Sequence, residues 1–146
     1  MNSGVVRLAL IALFLAWRVS AAEPIAVVTA AGSALESLPV ETLKLIYLRK
    51  SQIDADGNRW VPLNLPANDG LRRDFSSALF GSTPEDQEDY WNEQYFHGIA
   101  PPKVLASEEA VLRFLVSTPG AIGYVHKPKV DDRVKVLLLL ISRDVK

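Results

Sequence analysis

The sequence predicts a single α/β domain in which a small mixed sheet is flanked by helices. Three observations predict it. Short β-branched runs alternate with segments of helical periodicity, no repeat or long linker interrupts them, and 146 residues provide for one core.

The first segment lies outside that domain. Arg7 and the terminal amine precede an uncharged apolar run, Leu8 to Trp17, and the small residues of Val19-Ser20-Ala21-Ala22 follow. As a helix the run rises about 15 Å, half the roughly 30 Å of a bilayer's hydrocarbon core, so it suits a signal peptide better than a span. Residues 1–22 are therefore expected to be a signal peptide cut after Ala21 or Ala22. Residues 23–146 are expected to be an exported domain, periplasmic or secreted.

Within the domain, Ile25 to Thr29 is a β-branched run bounded by Pro24 and Ala31-Gly32-Ser33, which predicts a buried strand. Pro39 suits a helix's first turn, and Val40, Leu43, Ile46 and Tyr47 then mark one apolar face. The polar stretch Arg49 to Arg59 contains Asp56-Gly57, a turn between Ile53 and Trp60 that predicts a hairpin tip. Trp60 to Leu65 follows as a strand in which Pro62 points to an edge or a strand start. Asn68-Asp69-Gly70 opens a second helix with Leu71, Phe75, Ala78 and Leu79, closed by Gly81. Thr83-Pro84-Glu85-Asp86 starts a third, bearing Tyr90, Trp91 and Tyr95, which Gly98 to Pro102 breaks. Ser107 caps a fourth with Val111, Leu112, Phe114 and Leu115, ended by Thr118-Pro119-Gly120. Strands Ala121 to His126 and Val134 to Ile141 close the chain.

Composition removes several functions. Lys and Arg number 16 against 17 Asp and Glu; loss of Arg7 and Arg18 with the signal takes the basic count to 14, so a nucleic-acid partner is not expected. With no cysteine, disulfides, thiolate metal sites, iron–sulfur clusters and cysteine nucleophiles are excluded. Asp54-Ala-Asp56-Gly-Asn58 has its glycine at the wrong position for a calcium loop and Leu65 where the bidentate acid belongs. His97 and His126 lack ligand spacing, no serine sits in a Gly-x-Ser-x-Gly elbow, and Gly32-Ser33 has no P-loop lysine. The acids Glu85, Asp86, Glu88, Asp89 and Glu93 lie near a helix start, where they compensate the dipole. No enzyme, metal or cofactor is expected.

The start of the second helix offers more. Asn68-Asp69-Gly70-Leu71-Arg72-Arg73 puts free amides, the positive end of a dipole and two guanidinium groups within one turn, a place for an oxyanion. Asp69 could instead cap the helix with its own carboxylate, so that the site already holds its anion.

Ser37-Leu38 leading into an amphipathic helix, Trp60 before a strand, Gly-x-Arg-x-x-Phe at Gly70 to Phe75, and Pro119-Gly-Ala-Ile-Gly-Tyr124 together resemble the phosphate-binding component of bacterial phosphate ABC transporters, from about Pro24 to Leu140. The resemblance implies one lobe of a type II periplasmic-binding-protein-like fold, in a short single-lobe form. It implies phosphate or another small anion as ligand, bound at Gly70 and Arg72, with Arg73 and Asp69 beside them. A membrane transporter or sensor subunit is the implied partner, and self-association through the open lobe face is a further expectation. In two-lobed relatives a Gly-Ser-Gly-Thr-Arg loop holds phosphate; here Asp69 replaces the serine and Leu71 the threonine. Two hydroxyl donors are gone and a carboxylate is added, so the expectation is weak anion recognition or, alternatively, an interaction module without it. The glycines of Pro-Gly-Ala-Ile-Gly-Tyr also read as a turn and close packing before a core strand, with Tyr124 covering the sheet.

Overall fold

The computed structural model describes residues 23–142. The expected signal peptide, residues 1–22, lies outside them. Among the described residues no helix is long and apolar enough to cross a membrane.

The strands are β1 (Ile25–Ala30), β2 (Val61–Asn64), β3 (Lys103–Val104), β4 (Ala121–His126) and β5 (Val134–Leu140); the helices are α1 (Val40–Tyr47), α2 (Gly70–Phe80), α3 (Glu88–Phe96) and α4 (Glu108–Ser117). They form an open five-stranded sheet in the order β3-β2-β4-β1-β5. Strand β2 runs parallel to β3 and β4, while β1 is antiparallel to β4 and β5. The sheet is mixed and carries helices, as expected. Ile25 to Val28 are all buried, which explains why β1 reads as a continuous apolar run rather than an alternating one.

Each helix begins where its sequence signal stands. Pro39 is extended before α1 and turns Leu43, Ile46 and Tyr47 into the core. Ser107 accepts the amide of Ala110 at the start of α4, and Gly81 closes α2 in the left-handed region at φ 67°. The end of α1 is less regular: Arg49 occupies the left-handed region at φ 62°, and the amides of Lys50 and Ser51 return to Leu45 O. Arg49 stands where glycine is the usual choice.

Three expectations change in detail. Strand β2 lies inside the sheet, so Pro62 marks a strand start and not an edge; it is the second residue of β2, opposite Ile122. The third helix opens as one 3-10 turn, Glu85–Gln87, because Thr83 and Asp86 bond reciprocally, amide to side chain, and tighten it. Strand β3 was not expected, since two exposed residues leave no periodicity to read. The hairpin tip is as expected: Ile53 bridges Arg59, and the Asp54 carboxylate accepts the amides of Asp56 and Asn58.

Pro119-Gly-Ala-Ile-Gly-Tyr124 is tightly built into the core. Gly120 turns at φ 79°, and a Cβ there would strike the Arg59 carbonyl; at Gly123 it would stand 2.5 Å from a methyl of Val111. Tyr124 stacks on Phe75 with centroids 3.7 Å apart and planes 7° apart, and the Tyr47 ring meets Phe75 edge-on at 4.8 Å. The cluster joins α1, α2 and β4 in one aromatic wedge.

At the far side, Arg133 closes the loop before β5 by bonding Glu109 at 2.8 and 3.1 Å and Asp131 at 2.7 Å. The Arg133 hydrogen bonds hold the Glu109 carboxyl down at about 2 against an ordinary 4.5. A depressed carboxyl favours folding above its unfolded value and loses that contribution as pH falls from 4.5 towards 2. Arg133→Leu should therefore raise the Glu109 pKa towards its ordinary value, read by NMR of its side-chain carboxyl; an unmoved titration would contradict the assignment.

Candidate functional site

The helix α2 follows the carboxyl end of β2, through Leu65 to Asn68. That is the end of an open α/β sheet at which ligands ordinarily bind. An eleven-residue helix presents several unpaired amides there and a positive dipole end.

Two of those amides are already occupied. Asp69 is the N-cap, and its Oδ1 accepts the amide of Leu71 at 2.9 Å and that of Arg72 at 3.3 Å. A carboxylate thus sits where an oxyanion would, and a phosphate at about 4 Å from it would meet roughly 4 kcal/mol of repulsion at an effective dielectric near 20. Gly70 opens the helix, and a Cβ there would meet nothing within 4 Å.

The two guanidinium groups part company. Arg72 Nη1 donates to Leu65 O at 2.8 Å, tying the helix back to the end of β2. Arg73 turns to the exposed side and bonds both oxygens of Glu85, at 2.7 and 3.0 Å. The Arg73 hydrogen bonds hold the Glu85 carboxyl below its usual range.

Behind Arg72 lies a buried polar network. The Tyr124 hydroxyl donates to Asn64 Oδ1 at 2.6 Å and accepts the Leu65 amide at 3.2 Å; the Tyr47 hydroxyl donates to Leu63 O at 2.7 Å. Burial pushes both phenols up, more than the Arg72 charge pulls them down, so they remain neutral donors. Between Asn64, Arg72, Ser76, Gln87 and Trp91 there is a cleft of about 10 Å³, on the order of one water. It is too small for phosphate.

The sequence brought Asp69, Gly70, Arg72 and Arg73 to one turn, and the fold keeps them there. Asn64, Tyr124 and Glu85, which fix the arginines and the strand end, were not singled out as partners. Asn64 is a polar residue in an apolar strand, the one local sign available. The histidines stand apart: His97 caps α3, and His126 at the end of β4 has Nδ1 3.0 Å from Glu108 Oε1. Among the described residues no three His, Cys, Asp or Glu gather as a metal site.

A larger groove, about 840 Å³, opens at the opposite end of β2 and β4, over Leu38, Trp60 and Leu115. Its charged lining residues are Asp54 and Asp56, so it offers no cation to an anion.

No protein-family model matches the chain, and no curated protein matches it significantly. Solved structures do. An ABC-type phosphate transport receptor from Vibrio cholerae is 22% identical with a TM-score of 0.66, over 80% of this chain and 46% of that one. A phosphate ABC transporter substrate-binding protein from Clostridium perfringens, solved with phosphate bound, is 21% identical at a TM-score of 0.63, over 80% and 45%. PstS from Borrelia burgdorferi is 17% identical at 0.61, over 80% and 47%. The chain therefore shares the periplasmic-binding-protein-like fold and spans under half the length of these relatives. The matched proteins are described as transport receptors and binding proteins.

Proposed function

We propose that this chain is an exported module of the solute-binding-protein kind that acts by protein docking and has given up phosphate capture. The observation that carries the reading is the Asp69 carboxylate on the Leu71 and Arg72 amides. Two neighbouring features support it: Arg73 is bound to Glu85, and Arg72 holds a backbone carbonyl. Each hydroxyl missing from the relatives' loop forgoes roughly 1.5–3 kcal/mol of charge-assisted bonding. The docking partner is a membrane transporter or sensor subunit, or another copy of the lobe.

A second reading keeps weak anion recognition at Gly70, Arg72 and Arg73. It is favoured by the two guanidiniums within one helix turn, and it requires Asp69 to swing away. Asp69→Ser separates the readings, because serine still caps the helix but carries no charge. Without phosphate the variant should melt close to the parent. In millimolar phosphate its Tm should rise several degrees above the parent's in the same buffer, by linkage to binding. An equal phosphate response in both proteins would show that the carboxylate is not what excludes the anion.

A further inference from the structure

The groove at the opposite end of β2 and β4 has no part in the reading above. At about 840 Å³ it falls within the roughly 300–1,000 Å³ of small-molecule sites. The loop before α1, the hairpin tip and the end of α4 line it, with Leu38, Trp60 and Leu115 as its apolar floor. Trp60 is only 8% exposed, and its indole N–H has no acceptor among the described residues while still reaching solvent. A recessed apolar floor under polar walls is the ordinary construction of a site for an organic molecule.

Charge narrows the class of molecule. Asp54 and Asp56 are the charged residues of the lining, and both are acidic. The Asn58 amide foremost, with the Asn58 side chain and the Asp56 amide, holds the Asp54 carboxyl below its ordinary value and so ionised. The Asp56 carboxylate makes no bond among the described residues. The end of α4 adds the same sign. Leu115, Val116 and Ser117 line the groove, and their carbonyls accept no hydrogen bond among the described residues. No basic residue stands in that last turn, and Thr118 returns no amide to it, so the negative end of the helix dipole is left open. Nearby cations do not answer it: Lys44 and Lys135 are bound to Glu41 and Glu36, while Lys50 and Arg59 are exposed and outside the lining.

We infer that this groove binds a small organic cation, an ammonium group on an apolar body, with the body on Leu38, Trp60 and Leu115 and the charge in the field of Asp54, Asp56 and the α4 carbonyls. An anion is opposed by every one of those groups, and a neutral molecule leaves them unmatched. A lysine of a partner protein would bring the same cation, but a site of this volume with a recessed floor fits a free molecule. The inference stands apart from Asp69, which lies beyond the other end of β2.

Two-dimensional NMR of residues 23–146, titrated with diphenylpropylammonium, diphenylpropanol and diphenylpropionate, tests it. The ammonium should move the Trp60 indole N–H saturably up to millimolar concentration and leave that of Trp91 in place. The alcohol should bind about tenfold more weakly and the carboxylate not at all. Asp54→Asn combined with Asp56→Asn should weaken the ammonium about tenfold and leave the alcohol unchanged. That variant should melt like the parent, because asparagine keeps the turn. An unmoved Trp60 indole, equal affinity for ammonium and alcohol, or an ammonium indifferent to the double variant overturns the inference. A lysine-bearing apolar peptide that binds more tightly than the free ammonium overturns it too, by assigning the cation to a protein. None of these results touches the phosphate response of Asp69→Ser, so failure here leaves the reading of the α2 start as it is.

Discussion

Gly120→Ala is expected to lower stability by about 3 kcal/mol or more, which for a domain of this size is a fall in Tm of roughly 10 °C. Two costs combine. A left-handed backbone at φ 79° is unfavourable for alanine by roughly 1–2 kcal/mol, and the new Cβ would strike the Arg59 carbonyl. That carbonyl belongs to backbone, so no rotamer change relieves the clash. Gly120 O also accepts the Val61 amide, so the displacement passes into β2. Gly57→Ala is the control: at φ 83° with nothing within 4 Å of its Cβ, it should cost only the backbone share of roughly 1–2 kcal/mol. Equal losses at the two glycines, by thermal or urea unfolding, would contradict the packing role given to Gly120.

Phe75→Ala should cost about 3–5 kcal/mol, the range for a buried phenylalanine. Phe75 is 1% exposed and lies between the rings of Tyr124 and Tyr47, so its removal opens a cavity at the centre of the wedge joining α1, α2 and β4. Tyr124→Phe keeps the ring and should cost less, about 1–3 kcal/mol, because Asn64 Oδ1 and the Leu65 amide lose their partner. If Tyr124→Phe were the more damaging of the two, the polar network and not the aromatic stack would be holding the strand end.

Much of this architecture is legible in local chemistry. Caps and turns act over a few residues, so Ser107, Gly81, Asp56-Gly57 and the two roles open to Asp69 can be read directly. The Pro-Gly-Ala-Ile-Gly-Tyr string is legible as a turn, although the atoms that demand its glycines belong to Arg59 and Val111. What escapes is partnership across the fold. Arg72 and Arg73 look equivalent in sequence, yet one faces the Leu65 carbonyl and the other Glu85, a choice made by the helix's rotation against β2. Strand β3 exists only because β2 pairs with it at Leu63 and Asn64. The acids near the start of α3 read as dipole compensation; Glu85 instead neutralises one of the arginines that would make an anion site.

The central claim of the proposed function is that this chain carries its own anion at the start of α2, where the helix amides and two guanidinium groups would otherwise receive one. Calorimetric titration of residues 23–146 with inorganic phosphate tests it most directly. With Asp69 on the amides of Leu71 and Arg72, the account predicts no saturable heat up to millimolar phosphate. A saturable isotherm with micromolar affinity and one site per chain would contradict it.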